Sequence, residues 1–157
     1  MLRMTKQADY GIVLLSRMAQ DPGRRFAAPE LAELTRLPLP TVSKVLKLLG
    51  RGGLLQSHRG VKGGYSLAAM PTDITVAQMI QVLDGPIAFT ECIEDTPGEC
   101  SQEAFCSIRG NWQRINRAVR QALEAISLAD LCDQQHPPLI QLGSGRPQRN
   151  TDSPELR

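Results

Sequence analysis

Residues 40–67 read PTVSKVLKLLGRGGLLQSHRGVKGGYSL, and this stretch decides the fold. Its first half predicts a helix that Pro40 opens and that Gly52 or Gly53 ends. Apolar residues recur along it at helical spacing and are expected to face the core: Val42, Val45, Leu46 and Leu49. The polar residues between them are expected to face outward: Thr41, Ser43, Lys44, Lys47 and Arg51. The pattern therefore predicts a helix with an apolar inner face and a basic outer face.

The second half of the stretch predicts a β-hairpin. LLQSH at 54–58 and YSLAA at 65–69 are typical of short strands, and the tip RGVKGG between them holds Arg59 and Lys62. The glycines of the tip would let the backbone turn sharply and approach a phosphate closely. A nucleotide-binding loop is the weaker interpretation, because a strand follows the glycines and Lys62 is not in a GK[ST] motif.

The segment before this stretch supplies the helices that such a module needs. PELAELTR, with Pro29 at its first position, predicts a short helix whose apolar stripe is Leu31, Leu34 and Leu37. Residues 5–20 predict a first helix capped by Thr5, with an apolar stripe of Tyr10, Val13, Leu14 and Met18. Two short helices joined by a tight turn and followed by a basic hairpin match a winged helix-turn-helix. The expected fold class is mainly α.

Two further helices are predicted downstream. VAQMIQVLDG follows a capping Thr75 and is closed by Gly85 and Pro86. One long helix is expected from Ser107 to about Leu131, with apolar residues in steps of four and three: Ile108, Trp112, Ile115, Val119, Ala122 and Ile126. This seam predicts a C-terminal dimerisation helix, with packing inside the subunit as the alternative.

Charge is distributed unevenly along the 157 residues. Residues 1–70 carry 11 Lys and Arg against 4 Asp and Glu, a net charge of +7, and residues 71–157 carry 7 against 12, a net charge of −5. A basic first half indicates a polyanionic partner, most simply nucleic acid, with a solvated basic surface as the alternative. We expect Thr41, Ser43, Lys44 and Lys47 to face the major groove of DNA, and Arg59 and Lys62 to reach the DNA from the hairpin.

The composition also excludes several classes of protein. No apolar run is long enough to span a membrane, and the N-terminus has no signal-peptide pattern, so a cytoplasmic protein is expected. Only His58 and His136 could serve as imidazole bases, which disfavours an enzyme. The organisation predicted is a DNA-binding domain at 1–86, a cysteine loop with the dimerisation helix at 87–132, and a proline-rich, disordered tail at 133–157.

Three cysteines, Cys92, Cys100 and Cys106, lie in the acidic segment CIEDTPGECSQEAFC. In a reducing compartment clustered cysteines indicate ligands or redox sensors before disulfides. Thiolate sulfur selects zinc, copper(I) or iron–sulfur clusters, and the segment lacks the close cysteine pair of a zinc knuckle. Its carboxylates would raise the thiol pKa values, which argues against a simple reactive-thiol switch. An iron–sulfur cluster is the preferred interpretation, and a zinc-stabilised or thiol-switched protein is the alternative.

The chain resembles the IscR/NsrR family of winged-helix iron–sulfur transcription regulators. The resemblance is carried by TKQADYG near the N-terminus, by PTVSKVLKLLGRGGLL and RGVKGGYSL, and by the three cysteines before the long helix. It implies a homodimer on palindromic double-stranded promoter DNA, with the cluster near the dimer interface. The branch that regulates iron–sulfur assembly (Suf) genes matches best, which implies a repressor with a two-iron cluster preferred to a four-iron one. A nitric-oxide- or redox-sensing repressor is the runner-up.

The fourth cluster ligand departs from the family pattern. Members that use a histidine carry it three residues after the third cysteine, where this chain has Arg109, and the spacing from Cys92 to Cys100 is two residues longer than in many members. The resemblance favours Asp9, because an acidic residue at the matching place reaches the cluster of the other subunit in the nitric-oxide-sensing branch. Cys132, a glutamate of the cysteine segment, or a small thiol or water are the other candidates. Asp9 could equally be an ordinary helix N-terminal charge.

Overall fold

The computed structural model describes residues 4–88 and 108–133. Within these ranges lie six α-helices: α1 Lys6–Ala19, α2 Ala28–Thr35, α3 Leu39–Arg51, α4 Val76–Asp84, α5 Arg109–Glu124 and α6 Leu128–Cys132. Two strands, β1 Leu55–His58 and β2 Gly64–Leu67, form an antiparallel hairpin, and Pro71–Asp73 is a single 3₁₀ turn. The mainly α, winged-helix prediction is therefore confirmed.

The core lies where α1 packs against the other helices. Its buried face is Ala8, Gly11, Leu14, Leu15 and Met18, and the inner faces of α3 and α4 meet it. The predicted stripe of α1 was partly wrong, because Val13 is exposed and Tyr10 only half-buried. On α2, Leu31 is buried as predicted, but Leu34 is exposed, since this short helix touches its neighbours along one narrow face.

Two glycines allow the helices to approach closely. A Cβ on Gly11 of α1 would lie 2.5 Å from the side chain of Leu83 on α4. A Cβ on Gly52, at the end of α3, would lie 2.3 Å from the side chain of Val82. Helix α4 therefore packs tightly against both α1 and the end of α3.

The hairpin is apolar at its base and basic at its tip. Its register pairs Leu55 with Leu67, and both side chains are buried. Phe26, fully buried, extends the sheet by exchanging backbone hydrogen bonds of 2.8 and 2.9 Å with Tyr65. At the far end His58 Nε2 and Ser66 Oγ are 2.9 Å apart. The base is thus fixed to the core, and the tip projects from it.

The long helix expected from Ser107 to about Leu131 is two helices in the structure. Helix α5 ends at Glu124, and the chain then turns back towards α1 and the 3₁₀ turn before α4. The amide of Val76 donates to the carbonyl of Ile126 at 2.9 Å, and that of Leu128 donates to Ile74 at 2.7 Å. Helix α6 starts at a capping box formed by Ser127 and Asp130 and packs against α1. The heptad pattern did not indicate this break, because it also runs through the turn.

The predicted seam of α5 divides between two faces. Its inner face, towards α4, carries Trp112, Asn116, Val119 and Leu123, which are half-buried or buried. A second stripe in steps of three and four is exposed: Ile108, Asn111, Ile115, Ala118 and Ala122. The alternative, packing inside the subunit, is therefore confirmed for Val119 and Ile126. Ile115 is exposed, and its part in a dimer stays a prediction.

No helix in the described ranges is long and apolar enough to cross a bilayer. The division of the chain at residues 86 and 132 stays a prediction, although α6 contributes Leu128 to the core that the first helices form. The predicted tail lies outside the described residues, apart from Asp133.

Candidate nucleic-acid interface

A three-residue turn, Arg36–Pro38, connects α2 to α3. Arg36 adopts the left-handed conformation at φ 55°, and its amide and that of Leu37 donate back to carbonyls of α2 at 3.3 and 3.2 Å. This ending satisfies the last carbonyls of α2 and turns the chain sharply. Pro38 and Pro40 then start α3, whose predicted apolar side chains are all buried. The packing therefore presents the opposite face of α3 to solvent.

The outer face of α3 carries the residues that the sequence assigned to DNA. Lys44 and Lys47 are exposed, and Thr41 and Ser43 are half-buried. Ser43, Lys44 and Lys47 line one groove, together with residues that the predicted site left out: Gln7, Pro40, Leu48 and Arg51. Gln7 comes from α1, and no sequence signal placed it beside α3.

The charge of this surface is uniform. Residues 34–72 contain six Lys and Arg and no Asp or Glu. Within the described ranges the ion pairs of Arg24 and Arg120 involve Asp21, Glu30 and Glu124, all of which lie outside residues 34–72. Lys44, Lys47, Arg59 and Lys62 form no ion pair with any described residue. A basic surface whose cations pair with no described carboxylate attracts a polyanion over several ångströms.

The wing tip presents Arg59 and Lys62, both exposed. The amide of Gly63 donates to the carbonyl of Gly60 at 2.9 Å and closes a tight turn. A Cβ on Gly63 would lie 2.5 Å from the carbonyl oxygen of His58, so no larger residue fits there without a shift of the backbone. A backbone hydrogen bond thus closes the tip, and its two cations are exposed to a ligand.

Side-chain hydrogen bonds join the start of α1 to the end of α4. The hydroxyl of Thr5 donates to one carboxylate oxygen of Asp84, and the Thr5 amide donates to the other at 3.1 Å. Gln7 Nε2 donates to the carbonyl of Leu83 at 3.2 Å. Gln7 therefore touches both α4, which leads towards the cysteine segment, and the groove beside α3.

The predicted metal ligands are only partly within the described structure. Cys92, Cys100 and Cys106 lie outside the described residues. Asp9 is exposed in the first turn of α1, and no group of three potential metal ligands occurs among the described residues. Cys132 packs half-buried against the core, with its Sγ 3.7 Å from the carbonyl oxygen of Ser16.

A helix-turn-helix with a basic outer helix and a basic wing defines a winged-helix DNA-binding protein. The profile of the Rrf2 family, described as an iron-dependent transcriptional regulator, matches residues 4–134. The chain belongs to this family. It is 30% identical to the HTH-type transcriptional regulator CymR of Bacillus subtilis over 83% of this chain and 89% of CymR. It is 25% identical to NsrR of Shouchella clausii over 83% of this chain and 88% of NsrR.

Solved structures agree with these similarities. CymR, described as the global cysteine regulator of B. subtilis, superposes with a TM-score of 0.65 over 84% of this chain and 97% of CymR, at 30% identity. IscR of T. potens superposes with a TM-score of 0.60 over 83% of this chain and 85% of IscR, at 28% identity. The protein is a helix-turn-helix transcriptional regulator and not an enzyme, as the sequence predicted.

Proposed function

We propose that this regulator is a homodimeric repressor that binds promoter DNA through α3 and the wing. The observation that carries the proposal is the basic outer face of α3 together with the exposed cations of the wing, in a segment, residues 34–72, that contains six Lys and Arg and no acidic residue. We assign four residues of α3 to the major groove: Thr41, Ser43, Lys44 and Lys47. Arg59 and Lys62 are assigned to the adjacent minor groove or its phosphates, because both are exposed at the tip of the wing.

The dimer is proposed to form through the exposed stripe of α5. Its large apolar side chains, Ile108 and Ile115, are exposed in the single subunit. Its small residues, Ala118 and Ala122, would let two helices approach closely. Steps of three and four residues are those of two helices packed at a shallow angle. Two α3 helices related by a two-fold axis would then match a palindromic site.

We further propose that an iron–sulfur cluster controls DNA affinity. The donor set fits such a cluster, since three thiolates are the ligands that iron–sulfur centres prefer and Asp9 is exposed enough to reach a neighbouring subunit. When bound, the cluster would supply a centre that changes with redox state or small ligands. The family description as iron-dependent supports this assignment.

Iron–sulfur assembly genes are the proposed targets, supported by the similarity to IscR. A nitric-oxide- or redox-sensing repressor is the second candidate, favoured by the similarity to NsrR. A zinc- or thiol-dependent regulator is the third, because these three cysteines could also hold zinc.

One experiment separates these candidates. The protein is purified without oxygen, its iron, sulfide and zinc are measured, and its visible absorbance is recorded before and after nitric oxide or air. DNA affinity is then measured for the same samples against a duplex selected with this protein from a random pool. Stoichiometric iron and sulfide with a cluster-dependent change in affinity supports the proposal. The proposal is contradicted if the protein contains zinc without sulfide, or if its DNA affinity is the same with and without the cluster.

A further inference from the structure

Val61 is the most exposed large apolar side chain in the described part of the chain. Its relative exposure is 108%, whereas the next highest among the large apolar residues is Met70 at 57%. It lies at the wing tip between Arg59 and Lys62. A side chain so exposed buries no apolar area within its own subunit and so adds nothing to the stability of the core.

The turn itself does not explain a valine at this position. The hydrogen bond from Gly63 to Gly60 makes Val61 the second residue of a four-residue turn. Turns favour Gly, Pro, Asn, Asp and Ser, each for a local backbone reason that a β-branched side chain lacks. The glycines on either side already supply the required freedom, since Gly60 has φ 101° and Gly63 has no room for a Cβ. The local backbone therefore does not require a valine here, which leaves room for a contact outside the subunit as its reason.

The charges around Val61 select the kind of partner. Arg59 and Lys62 flank it, and residues 34–72 contain no carboxylate. The DNA minor groove has an electronegative floor that attracts cations and walls formed by the C–H groups of the sugars. An apolar side chain between two cations is complementary to both parts of that groove.

We propose that Val61 is a DNA-contacting residue that packs against the sugar walls of the minor groove beside Arg59. This inference rests on the proposed function, since it requires the wing to bind DNA. It adds a shape-dependent contact to the electrostatic ones. A narrow minor groove encloses an apolar tip more completely than a wide one, so Val61 favours sites whose minor groove is narrow next to the α3 contact.

The test compares nearly isosteric variants on a duplex selected from a random pool with the unmodified protein. Val61→Thr keeps the branched shape and replaces one methyl group by a hydroxyl, and we expect it to weaken binding about three- to tenfold. Val61→Ile adds a methyl group and should bind at least as tightly as the unmodified protein. Val13→Thr, the same change at an exposed valine of α1, is the control and should leave affinity unchanged.

Uracil in place of thymine distinguishes the two grooves, because it removes a methyl group from the major groove only. The ratio of the DNA affinity of the unmodified protein to that of Val61→Thr should be the same on the uracil duplex as on the thymine duplex. If uracil abolishes the ratio, Val61 contacts thymine methyls in the major groove and the minor-groove assignment is wrong.

Three other outcomes overturn the inference, and each one is recognisable. Equal affinities for Val61→Thr and the unmodified protein, with weaker binding by Arg59→Ala, mean that Val61 stays in solvent while the wing still binds. A change in the sedimentation of Val61→Thr without DNA means that the tip contacts protein. If the unmodified protein enriches no duplex at all, the proposed function itself has failed.

Discussion

Leu128 determines where helix α6 lies. Its side chain is 0% exposed, and its amide donates to the carbonyl of Ile74 at 2.7 Å. Leu128 thus belongs to the core built by α1 and α4, and its burial holds α6 against α1. Nothing in the periodicity distinguished Leu128 from Leu131, which lies one turn later on the same helix and is exposed.

We predict that Leu128→Ala lowers the free energy of unfolding by about 2–5 kcal/mol, because it removes buried apolar atoms and leaves a cavity. Leu131→Ala is the matched control on α6 and should cost under about 1 kcal/mol, since its side chain is exposed. Urea denaturation of the metal-free protein measures both values. Equal costs for the two variants would contradict the assignment of Leu128 to the core.

Lys44 tests the role of a single charge on α3. We predict that Lys44→Ala weakens binding to all duplexes alike and reduces the slope of log affinity against log salt concentration by about 1, if the amine touches a phosphate. Ser43→Ala, one residue earlier, should leave the salt slope unchanged, because serine carries no charge. Arg117→Ala on α5 is the control for loss of one exposed cation. An unchanged salt slope for Lys44→Ala, with discrimination lost at one base pair, would assign Lys44 to a base edge instead.

At the scale of elements, the sequence predicted best where local signals and packing agree. Helix α3 has prolines at its start, glycine at its end and four inward-facing residues, and all four are buried. The seam of α5 was less informative, because a heptad pattern does not say which neighbour covers each residue. Val119 packs towards α4, whereas Ile115 lies in the exposed stripe. Gln7 was missed because its position beside α3 depends on how two distant helices pack.

The exposed stripe of α5 leads to a prediction about assembly. Ile115→Asp places a charge in the centre of the stripe, where burial against a second copy would remove it from water. We expect sedimentation of this variant at micromolar concentration to show monomers and its affinity for a palindromic duplex to fall at least about tenfold. Gln113→Asp, exposed on another face of the same helix, should remain a dimer. Monomers of the unmodified protein under these conditions would exclude the stripe as a dimer interface.

At the scale of the whole molecule, the described contacts connect the end of α4 to the proposed DNA-binding surface. Asp84 holds Thr5 at the start of α1, and Gln7 follows two residues later beside α3. The first predicted ligand, Cys92, is eight residues after Asp84. A ligand at Asp9, in the same turn of α1, would make a second connection from the cysteine segment to this helix. Cluster occupancy and the placement of α3 would then be linked through α1.

The ligand assignment gives the prediction that bears on the whole molecule. Cys106→Ser should remove the cluster absorbance of protein purified without oxygen, because an alcohol is a far poorer ligand than a thiolate. Cys132→Ser is the matched control and should keep the cluster, since Cys132 packs against the core beside Ser16.

Asp9→Ala should keep the dimer, lose the cluster faster in air and reduce the difference in DNA affinity between cluster-bound and cluster-free protein. Asp21→Ala removes an exposed carboxylate that pairs with Arg24 and should change none of these properties. If Asp9→Ala retains an unchanged spectrum and an unchanged DNA response, Asp9 acts only as a charge at the positive end of α1. The fourth ligand must then come from elsewhere, and the link through α1 reduces to the hydrogen bonds of Asp84.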